Sequence, residues 1–329
     1  SNNYDEILCT DDHRWYGWRR SKSDKGSKKV FGFFEAHKIT QEHNIVLTAP
    51  WVGEASSNFT DDECAFLGWM ASDGYWRWSD KGEGTSCSFG KKKDIAATIS
   101  QADSKFWREL EELLNRMGVR YFKYRKEVEN GNTINGYKIY SDWMRPFLDR
   151  ILPGRKNKHE VDWVKLVMSM TRSNLEAFYA AFYLGDGAMT TNQEVISQNL
   201  GNIFDGVATA AQLLGSGRIS FGKISNSVSP MKTIRVQKRK HITCQELKKE
   251  ELGVEDTFCL TTNNSSFIIW QDDFIGITGN CTYGAQAAKV AKTIGSSLVE
   301  GELVFGGFWE AAQPLKLLKD ALQKHWEAN

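Results

Sequence analysis

The sequence has no hydrophobic run long enough to span a membrane and no closely spaced cysteine pairs. No window reaches the roughly 18 consecutive apolar residues of a spanning helix, and the start at Ser1 has no signal-peptide pattern. The six cysteines lack the CxxC spacing of a zinc site and the density of a disulfide framework. We therefore expect a protein of a reducing, cytoplasmic compartment with no membrane partner.

An excess of charge of one sign is also missing. The chain carries 42 basic and 41 acidic residues, for a formal net charge of +1, so any nucleic-acid footprint must be local. The chain is long, and 329 residues with 41% hydrophobic content can bury more than one core. The composition excludes a disordered or fibrous chain and predicts two or three globular modules.

The pattern of apolar and polar residues changes along the chain. Residues 1–59 and 256–280 contain short β-prone runs separated by polar turns. Between them the pattern of a capped helix, strand-like stretches and a further helix occurs twice, which indicates a degenerate internal duplication. Residues 281–329 have a helical pattern. The predicted fold class is α+β, with an all-β piece split by a duplicated α/β insert and followed by a short helical tail.

Asp73 and Asp186 end the two predicted helices at equivalent points of the duplicated unit. If the helices pack side by side, the two carboxylates meet, and small residues such as Gly68 and Ala181 permit close approach. Paired carboxylates suit Mg²⁺ and phosphodiester hydrolysis. The alternative is that each Asp-Gly pair only terminates a helix.

The segments 66–74 (FLGWMASDG) and 179–187 (YAAFYLGDG) resemble the two signature helices of a single-chain LAGLIDADG homing endonuclease. The resemblance spans roughly residues 60–245. It implies a pseudo-twofold αββαββ unit that binds double-stranded DNA with its two sheets, with Asp73 and Asp186 as Mg²⁺ ligands.

A lysine before the second signature helix helps to activate water in that family, and the resemblance assigns this role to Lys158, with Lys156 in reserve. A solvated basic turn is the alternative. The segment 217–241 has seven bases and no acid, and falls where the second sheet should bind DNA phosphates, although an exposed strand face protected by charge is an alternative. The predicted DNA-binding residues are Arg218, Lys223, Lys232, Arg235, Lys238 and Lys240.

Asn280 followed by Cys281 is a pair with its own chemistry, because an Asn side-chain amide can attack its own carbonyl carbon and cleave the next peptide bond. The segment 267–281 resembles the C-terminal blocks of an intein, and 10–13 (TDDH) resembles the TxxH block near the other end. The resemblance implies a Hint splicing domain in which Thr10 and His13 act on the upstream scissile bond. Asn280 would cyclise, and Cys281 would accept the acyl group.

The sequence departs from the intein pattern in three places. Gly279 stands where the family usually has His, and Ser265 or Ser266 replaces a second His, so cyclisation is expected to be slow. The block with the first nucleophile is missing, so we expect a partner, an N-terminal intein segment in cis or in trans. The other cysteines are interpreted as core or incidental residues, with Cys259 open to an assisting role.

The tail resembles the end of the nucleotide-binding helix of phage-type family A DNA polymerases, with Tyr283 as the matching aromatic; a simple amphipathic helix is the alternative. The resemblances together imply a Hint domain (1–59 and 246–280), an inserted endonuclease (60–245) and a polymerase fragment (281–329). The implied activities are protein splicing and cleavage of the intein-free polymerase gene. The alternative function is a DNA-binding intein remnant in which nuclease or splicing activity has decayed.

Overall fold

A computed structural model describes residues 7, 9–23, 26–76, 95–102, 106–127, 133–152, 157–190, 193–225, 229–246, 248–250, 266–271, 274–279, 298–299 and 302–303. It combines α-helices with antiparallel sheets, which confirms the predicted α+β class. Within these residues no helix is long and apolar enough to cross a membrane.

The chain divides into two compact units. The terminal unit comprises Ser1–Leu47 and His241–Asn329, and the central unit comprises Thr48–Lys240. The division comes before the predicted boundary at residue 59 because the segment after Leu47 bonds to a helix of the central unit. The Thr48 hydroxyl donates to the Gln212 carbonyl oxygen (3.3 Å) and the Trp51 amide donates to that of Leu213 (2.8 Å).

The described part of the terminal unit is built on an antiparallel sheet. Its strands are β1 (Arg14–Ser23), β2 (Gly26–Glu35), β3 (His43–Val46), β12 (His241–Thr243), β13 (Ser266–Gln271) and β14 (Phe274–Gly279). The strands follow the order β12-β3-β1-β14-β13, and β2 also pairs with β1. Apolar side chains from several strands form the core beneath this sheet: Trp15, Ile39, Ile45, Leu47, Cys244 and Phe274.

The chain leaves this sheet after β3 and returns to it in β12. These two strands are neighbours, with Val46 directly opposite His241 and Ile45 opposite Ile242. The whole central unit therefore lies in sequence between two hydrogen-bonded strands of one sheet.

The central unit repeats one order of elements. The first copy is α1 (Asp61–Ser72), β4 (Gly74–Trp76), β5 (Ile95–Ala102), α2 (Trp107–Arg116), β6 (Tyr121–Glu127) and β7 (Thr133–Tyr140). Two helices follow, α3 (Ser141–Ile151) and α4 (Trp163–Met168). The second copy is α5 (Arg172–Asp186), β8 (Gly187–Met189), β9 (Gln193–Asn199), α6 (Asn202–Leu214), β10 (Arg218–Phe221) and β11 (Met231–Gln237).

The two copies also share their sheet topology. One sheet has the strand order β4-β5-β7-β6 and the other has the order β8-β9-β11-β10, and all pairs are antiparallel. Corresponding strands occupy corresponding places, so the duplication expected from the sequence extends to the pairing of every strand in the repeat.

The first helix of each copy begins with the same hydrogen-bonded cap. Thr60 accepts from the Glu63 amide while the Glu63 carboxylate accepts from the Thr60 amide, and Thr171 forms the same reciprocal pair with Asn174. Such capping boxes satisfy amides that have no partner within the helix. Asn174 also donates to the Asp61 carboxylate (2.6 Å), so the two caps are bonded to each other.

The bodies of α1 and α5 pack at very short range. A Cβ atom placed on Gly68 would lie 3.0 Å from both the Ala181 Cβ and the Phe182 amide nitrogen, and closer still to the Phe178 carbonyl oxygen. Real Cβ atoms are essentially never that close to backbone, so only glycine permits this separation of the helices. Phe66, Leu67, Phe178 and Phe182 are buried and fill the surrounding core.

Three features differ from the sequence expectation. Strand β1 was not predicted, because arginines alternate with the aromatic residues in its sequence. Helices α3 and α4, which precede and follow Lys158 in the sequence, were not predicted. In the tail expected to be helical, a short antiparallel pair, β15 (Leu298–Val299) with β16 (Glu302–Leu303), is described, and the rest lies outside the described residues.

Replacement of Gly68 by Ala should lower the free energy of unfolding of the central unit by about 1–3 kcal/mol, because the added methyl group collides with the backbone of α5. Urea denaturation followed by tryptophan fluorescence measures the change. Ala180→Leu is the matched control, since Ala180 is exposed on α5 and its enlargement meets solvent. Equal stability of Gly68→Ala and the parent chain would contradict the packing described for this helix pair.

Candidate active site

Two carboxylates share one end of the α1–α5 pair. Asp73 is the residue that caps the C-terminus of α1, and Asp186 is the last residue of α5. A Cβ atom on Gly185 would lie 2.5 Å from Asp73 Oδ2, so the Asp73 carboxylate lies against the backbone of α5 immediately before Asp186. The structure therefore brings together the two acids that the sequence selected.

A glutamine side chain donates to each carboxylate. The Gln101 Nε2 group donates to Asp73 Oδ2, and the Gln198 Nε2 group donates to Asp186 Oδ2 at 2.9 Å. Gln101 is in β5 and Gln198 is in β9, which are equivalent strands of the duplicated unit. Neither glutamine was predicted from the sequence, because each Gln is separated from its Asp by a different number of residues, 28 in one copy and 12 in the other.

Lys158 reaches the same end of the helix pair. Its Nζ atom donates to the carbonyl oxygens of Ala71 (3.2 Å) and Ser72 (3.1 Å), the last two residues of α1. A cation at a helix C-terminus is favourable because the final carbonyl groups have no helical partner. Burial lowers the pKa of Lys158 below its usual value, while the Asp186 and Asp73 carboxylates act in the opposite direction.

The backbone at Lys158 is held in place by the neighbouring helix. The buried Trp163 indole nitrogen donates to the Lys158 carbonyl oxygen at 2.7 Å, and Trp163 begins α4. A Cβ atom on Gly206 would lie 3.1 Å from the Trp163 carbonyl carbon, so α4 is in turn pressed against α6. The short helix that the sequence did not predict is thus the support of the predicted lysine.

The donor set fits a hard divalent cation. Among the described residues there is no group of three or more His, Cys, Asp and Glu side chains that could form a protein-only metal site. Two carboxylates at the ends of closely packed helices instead supply oxygen ligands of the kind that Mg²⁺ prefers, and Mg²⁺ commonly binds through one or two carboxylates together with water and phosphate oxygens. Asp73 and Asp186 are the residues that would hold such an ion.

The second sheet has one face packed on helix α6 and one face directed away from it. Ile219, Phe221, Ile234 and Val236 are buried on the helix side, where Phe221 contacts Phe204 of α6 with ring centroids 5.6 Å apart. Alternation along the strands places Arg218 and Arg235 on the opposite, open face. Lys223, Lys238 and Lys240 are exposed in the connections that follow β10 and β11.

Lys232 does not share the open face with the other predicted bases. It alternates with Thr233 along β11 and so projects to the helix side with Ile234. Its Nζ atom lies 5.3 Å from the centroid of the Phe221 ring. Lys232 and Arg235 are therefore on different faces of the sheet, a distinction that a count of bases in the sequence does not contain.

The first sheet (β4-β5-β7-β6) also has a face that carries exposed side chains, and this face was not predicted from the sequence. Tyr75, Phe122, Tyr124 and Lys138 project from it, with Lys138 directly opposite Phe122 and Tyr75 opposite Thr98. Tyr75 and Phe122 are exposed, and the Lys138 Nζ atom lies 5.2 Å from the Tyr124 ring centroid. The aromatic and basic alternation in residues 121–126 (YFKYRK) was the available signal.

In the terminal unit, His13 contacts a residue from the far end of the chain. The His13 Nε2 atom is hydrogen-bonded to the hydroxyl of Thr278, and that hydroxyl donates to the Arg14 carbonyl oxygen at 3.1 Å. Since the hydroxyl has one proton, it accepts from His13, so the Nε2 atom carries a proton. Burial lowers the pKa of His13, which favours the neutral ring.

Thr10 and Gly279 flank this contact. The His13 amide donates to the Thr10 carbonyl oxygen at 3.0 Å, and the Thr10 hydroxyl is buried with no hydrogen-bond partner among the described residues. Gly279 pairs with Arg14 of β1 and Ser266 of β13. A Cβ atom on Gly279 would lie 2.6 Å from Phe33 Cε1, so a histidine at this position would displace the Phe33 ring.

Several predicted residues lie outside the described part of the chain: Asn280, Cys281, Tyr283, Lys156, Cys259 and Ser265. Of the described cysteines, Cys64 and Cys244 are buried and Cys9 is partly buried. Burial raises the pKa of all three thiols, to about 11 for Cys244, so none has the lowered pKa of a reactive cysteine.

No protein-family model and no curated protein matches this sequence. Among solved structures, the chain is similar to I-DmoI in complex with DNA and Mn (12% identity, TM-score 0.35, covering 54% of this chain and 89% of that chain). It is also similar to the homing endonuclease I-WcaI bound to its DNA recognition sequence (11%, 0.35, 56% and 78%). A third match is full-length DUF199/WhiA from Thermatoga maritima (11%, 0.34, 56% and 53%).

Proposed function

We propose that the central unit is a DNA endonuclease of the LAGLIDADG homing type, which hydrolyses phosphodiester bonds in both strands of a duplex. The observation that carries the proposal is the placement of Asp73, Asp186 and Lys158 at one end of the close-packed pair α1 and α5. Each helix leads directly into its own sheet, so a site shared by both copies of the duplication faces two equivalent binding surfaces.

Each residue of the site has a defined task. Asp73 and Asp186 would hold Mg²⁺, and the bound ion supplies charge stabilisation to the attacking and leaving oxygens of an in-line displacement. Gln101 and Gln198 hold the two carboxylates in position through their amide groups. Lys158, with its pKa lowered by burial, would lie beside the attacking water and exchange a proton with it more readily than an exposed lysine.

The two open sheet faces are proposed to bind the duplex at the intein-free polymerase gene. Arg218 and Arg235 on the second sheet and Lys138 on the first would contact phosphates or base edges, since cations provide most of the affinity for DNA. The exposed bases in the loops, Lys223, Lys238 and Lys240, extend the second surface.

Replacement of Asp73 or Asp186 by Asn should abolish cleavage of a plasmid that carries the target while leaving duplex binding intact, because the amide keeps the shape of the carboxylate but removes the charge that holds the ion. Gel analysis of the nicked and linear forms with Mg²⁺ measures cleavage, and fluorescence anisotropy measures binding.

Asp142→Asn is the matched control for this experiment. Asp142 is an exposed surface acid that is ion-paired with Arg120, so its replacement should leave cleavage unchanged. Cleavage retained by either active-site variant would refute the metal-ligand assignment. If the parent chain binds the target duplex but never cleaves it with Mg²⁺, the alternative function, a DNA-binding remnant with a decayed nuclease, is supported instead.

Arg235→Gln should weaken duplex binding and lower the slope of log Kd against log salt concentration by about one. Lys232→Gln should leave both quantities almost unchanged. The two residues are in the same strand and lose the same charge, but only Arg235 is on the open face. Anisotropy titrations across a salt series make the comparison. Equal effects of the two replacements would contradict the proposed binding face.

We also propose that the terminal unit is the Hint splicing domain of an intein, formed from both ends of the chain and completed by an upstream segment. The supporting observation is that His13 is bonded to Thr278 and that Arg14 pairs with Gly279, which brings the TxxH segment beside the predicted splice junction. Thr10 and His13 are assigned to the upstream scissile bond, where the His13 imidazole would transfer a proton to the amide nitrogen.

The downstream step requires residues of the chain alone. The Asn280 side-chain nitrogen would attack the Asn280 carbonyl carbon, the bond to Cys281 would break, and the Cys281 amino group would leave as a succinimide forms. Beforehand, the Cys281 thiolate would attack the upstream carbonyl carbon and form a thioester, while the bond from that carbon to the first residue of the intein breaks and its nitrogen leaves with a proton from His13. Residues 281–329 are proposed to be a fragment of a family A DNA polymerase, with Tyr283 beside the nucleotide site, on the strength of their sequence resemblance.

Intact mass spectrometry over time, with the upstream intein segment supplied in trans, should show separation between residues 280 and 281. An Asn280→Ala variant should stay whole, because Ala has no nucleophilic amide. The parent chain without the upstream segment serves as the reference for slow, unassisted cyclisation. Separation at the same rate in the Asn280→Ala variant, or none in the assembled parent, would refute the splicing assignment.

A further inference from the structure

Strands β1 and β2 form a long hairpin with two different faces. Their register places Tyr16 opposite Phe33, Trp18 opposite Phe31 and Arg20 opposite Lys29, all on one side, here called the aromatic face. Trp15 and Phe34 are paired on the other side, where Trp15 is in the core of the terminal unit and Phe34 packs against it. The aromatic face therefore carries a second set of large rings, of which Trp18 is buried and Tyr16 and Phe31 are exposed.

Two rings on the aromatic face, those of Phe31 and Tyr16, are exposed to solvent, whereas Trp18 is buried. Phe31 is 55% exposed and Tyr16 is 36% exposed. Their ring planes are inclined by only 25° with centroids 6.5 Å apart, and the Phe33 centroid lies 5.2 Å from that of Tyr16. Clusters of exposed aromatic residues leave apolar area in contact with water, and such patches mark binding surfaces.

Cations surround these rings. The Arg14 guanidinium lies 4.9 Å from the Phe33 ring centroid, the Lys29 Nζ atom lies 4.3 Å from that of Trp18, and Arg20 is exposed beside Lys29. In the described part of the two strands the one acid is Glu35, which is at the end of β2 and paired with Lys38 at 2.7 Å. The face is thus positively charged and aromatic at once.

We propose that the aromatic face of the β1–β2 hairpin binds single-stranded nucleic acid. Cations and exposed rings are the two elements of such sites, because phosphates follow the positive charge while unpaired bases stack on aromatic side chains. In an intact duplex the faces of the bases are covered by their neighbours, so the rings would have no partner there. An acidic peptide would match the charge but would leave Tyr16 and Phe31 exposed.

The test is a fluorescence anisotropy titration of the full chain with a labelled oligothymidylate, which cannot form a duplex. Phe31→Ala and Tyr16→Ala should each raise Kd by about tenfold, through loss of a stacking partner. Lys29→Gln should raise Kd severalfold and lower the salt dependence. Circular dichroism melting verifies that each variant is folded, which is expected because the replaced side chains are exposed.

Neighbours on the opposite face are the matched controls. Lys28→Gln removes the same charge as Lys29→Gln from the adjacent position, and Val30→Ala truncates an exposed apolar residue next to Phe31. Both should leave Kd within about twofold of the parent value. Equal weakening by Lys28→Gln and Lys29→Gln, or no effect of Phe31→Ala and Tyr16→Ala, would overturn the proposal, as would binding that requires a duplex.

This inference does not depend on the proposed endonuclease. The Asp73→Asn variant and an Arg235→Gln variant should bind the oligothymidylate like the parent chain. If Arg235→Gln abolishes that binding while the hairpin variants retain it, the single strand occupies the sheet face of the central unit and the hairpin proposal is wrong, whereas the proposed nuclease is unaffected. Conversely, a chain that binds the oligothymidylate but does not cleave the plasmid would contradict the proposed nuclease and leave the hairpin proposal intact.

Discussion

The contact between helices α1 and α5 is the constraint on which the central unit depends. Gly68 admits the backbone of α5, and at the other end Gly185 admits the Asp73 carboxylate. A side chain at either position would separate the helices and, with them, the two acids they carry. A hydrogen bond from the Asn174 side chain to the Asp61 carboxylate joins the N-terminal ends of α1 and α5. The two helices are therefore held together at both ends.

The residues that position the two carboxylates lie outside the helix pair α1 and α5. Strands β5 and β9 supply the glutamine amides, and the segment before α4 supplies Lys158, held by a buried tryptophan. Burial lowers the pKa of Lys158, whereas the Asp186 and Asp73 carboxylates raise it. The arrangement keeps a lysine of lowered pKa next to two acids, which is a common feature of sites that transfer protons.

Much of this arrangement was accessible from the sequence, and the remainder was hidden for physical reasons. The capped helices were predicted because Thr60 and Thr171 are followed by the polar partners and apolar stripes that a helix start requires. Gln101 and Gln198 were not, because hydrogen bonds across a sheet have no fixed spacing in sequence. The different sheet faces of Lys232 and Arg235 were not predicted because a count of bases does not register strand alternation, and β1 was overlooked because its aromatic residues are interleaved with charge.

The pairing of β3 with β12 has a consequence for how the central unit joins the terminal unit in sequence. Val46 and His241 are direct neighbours in one sheet, yet the whole central unit lies between them in sequence. A short turn could close the same two strands, so the terminal sheet needs nothing from the intervening residues in order to keep its hydrogen bonds. The central unit therefore enters the terminal unit's sequence at one point, between two strands whose hydrogen bonds to each other do not involve it.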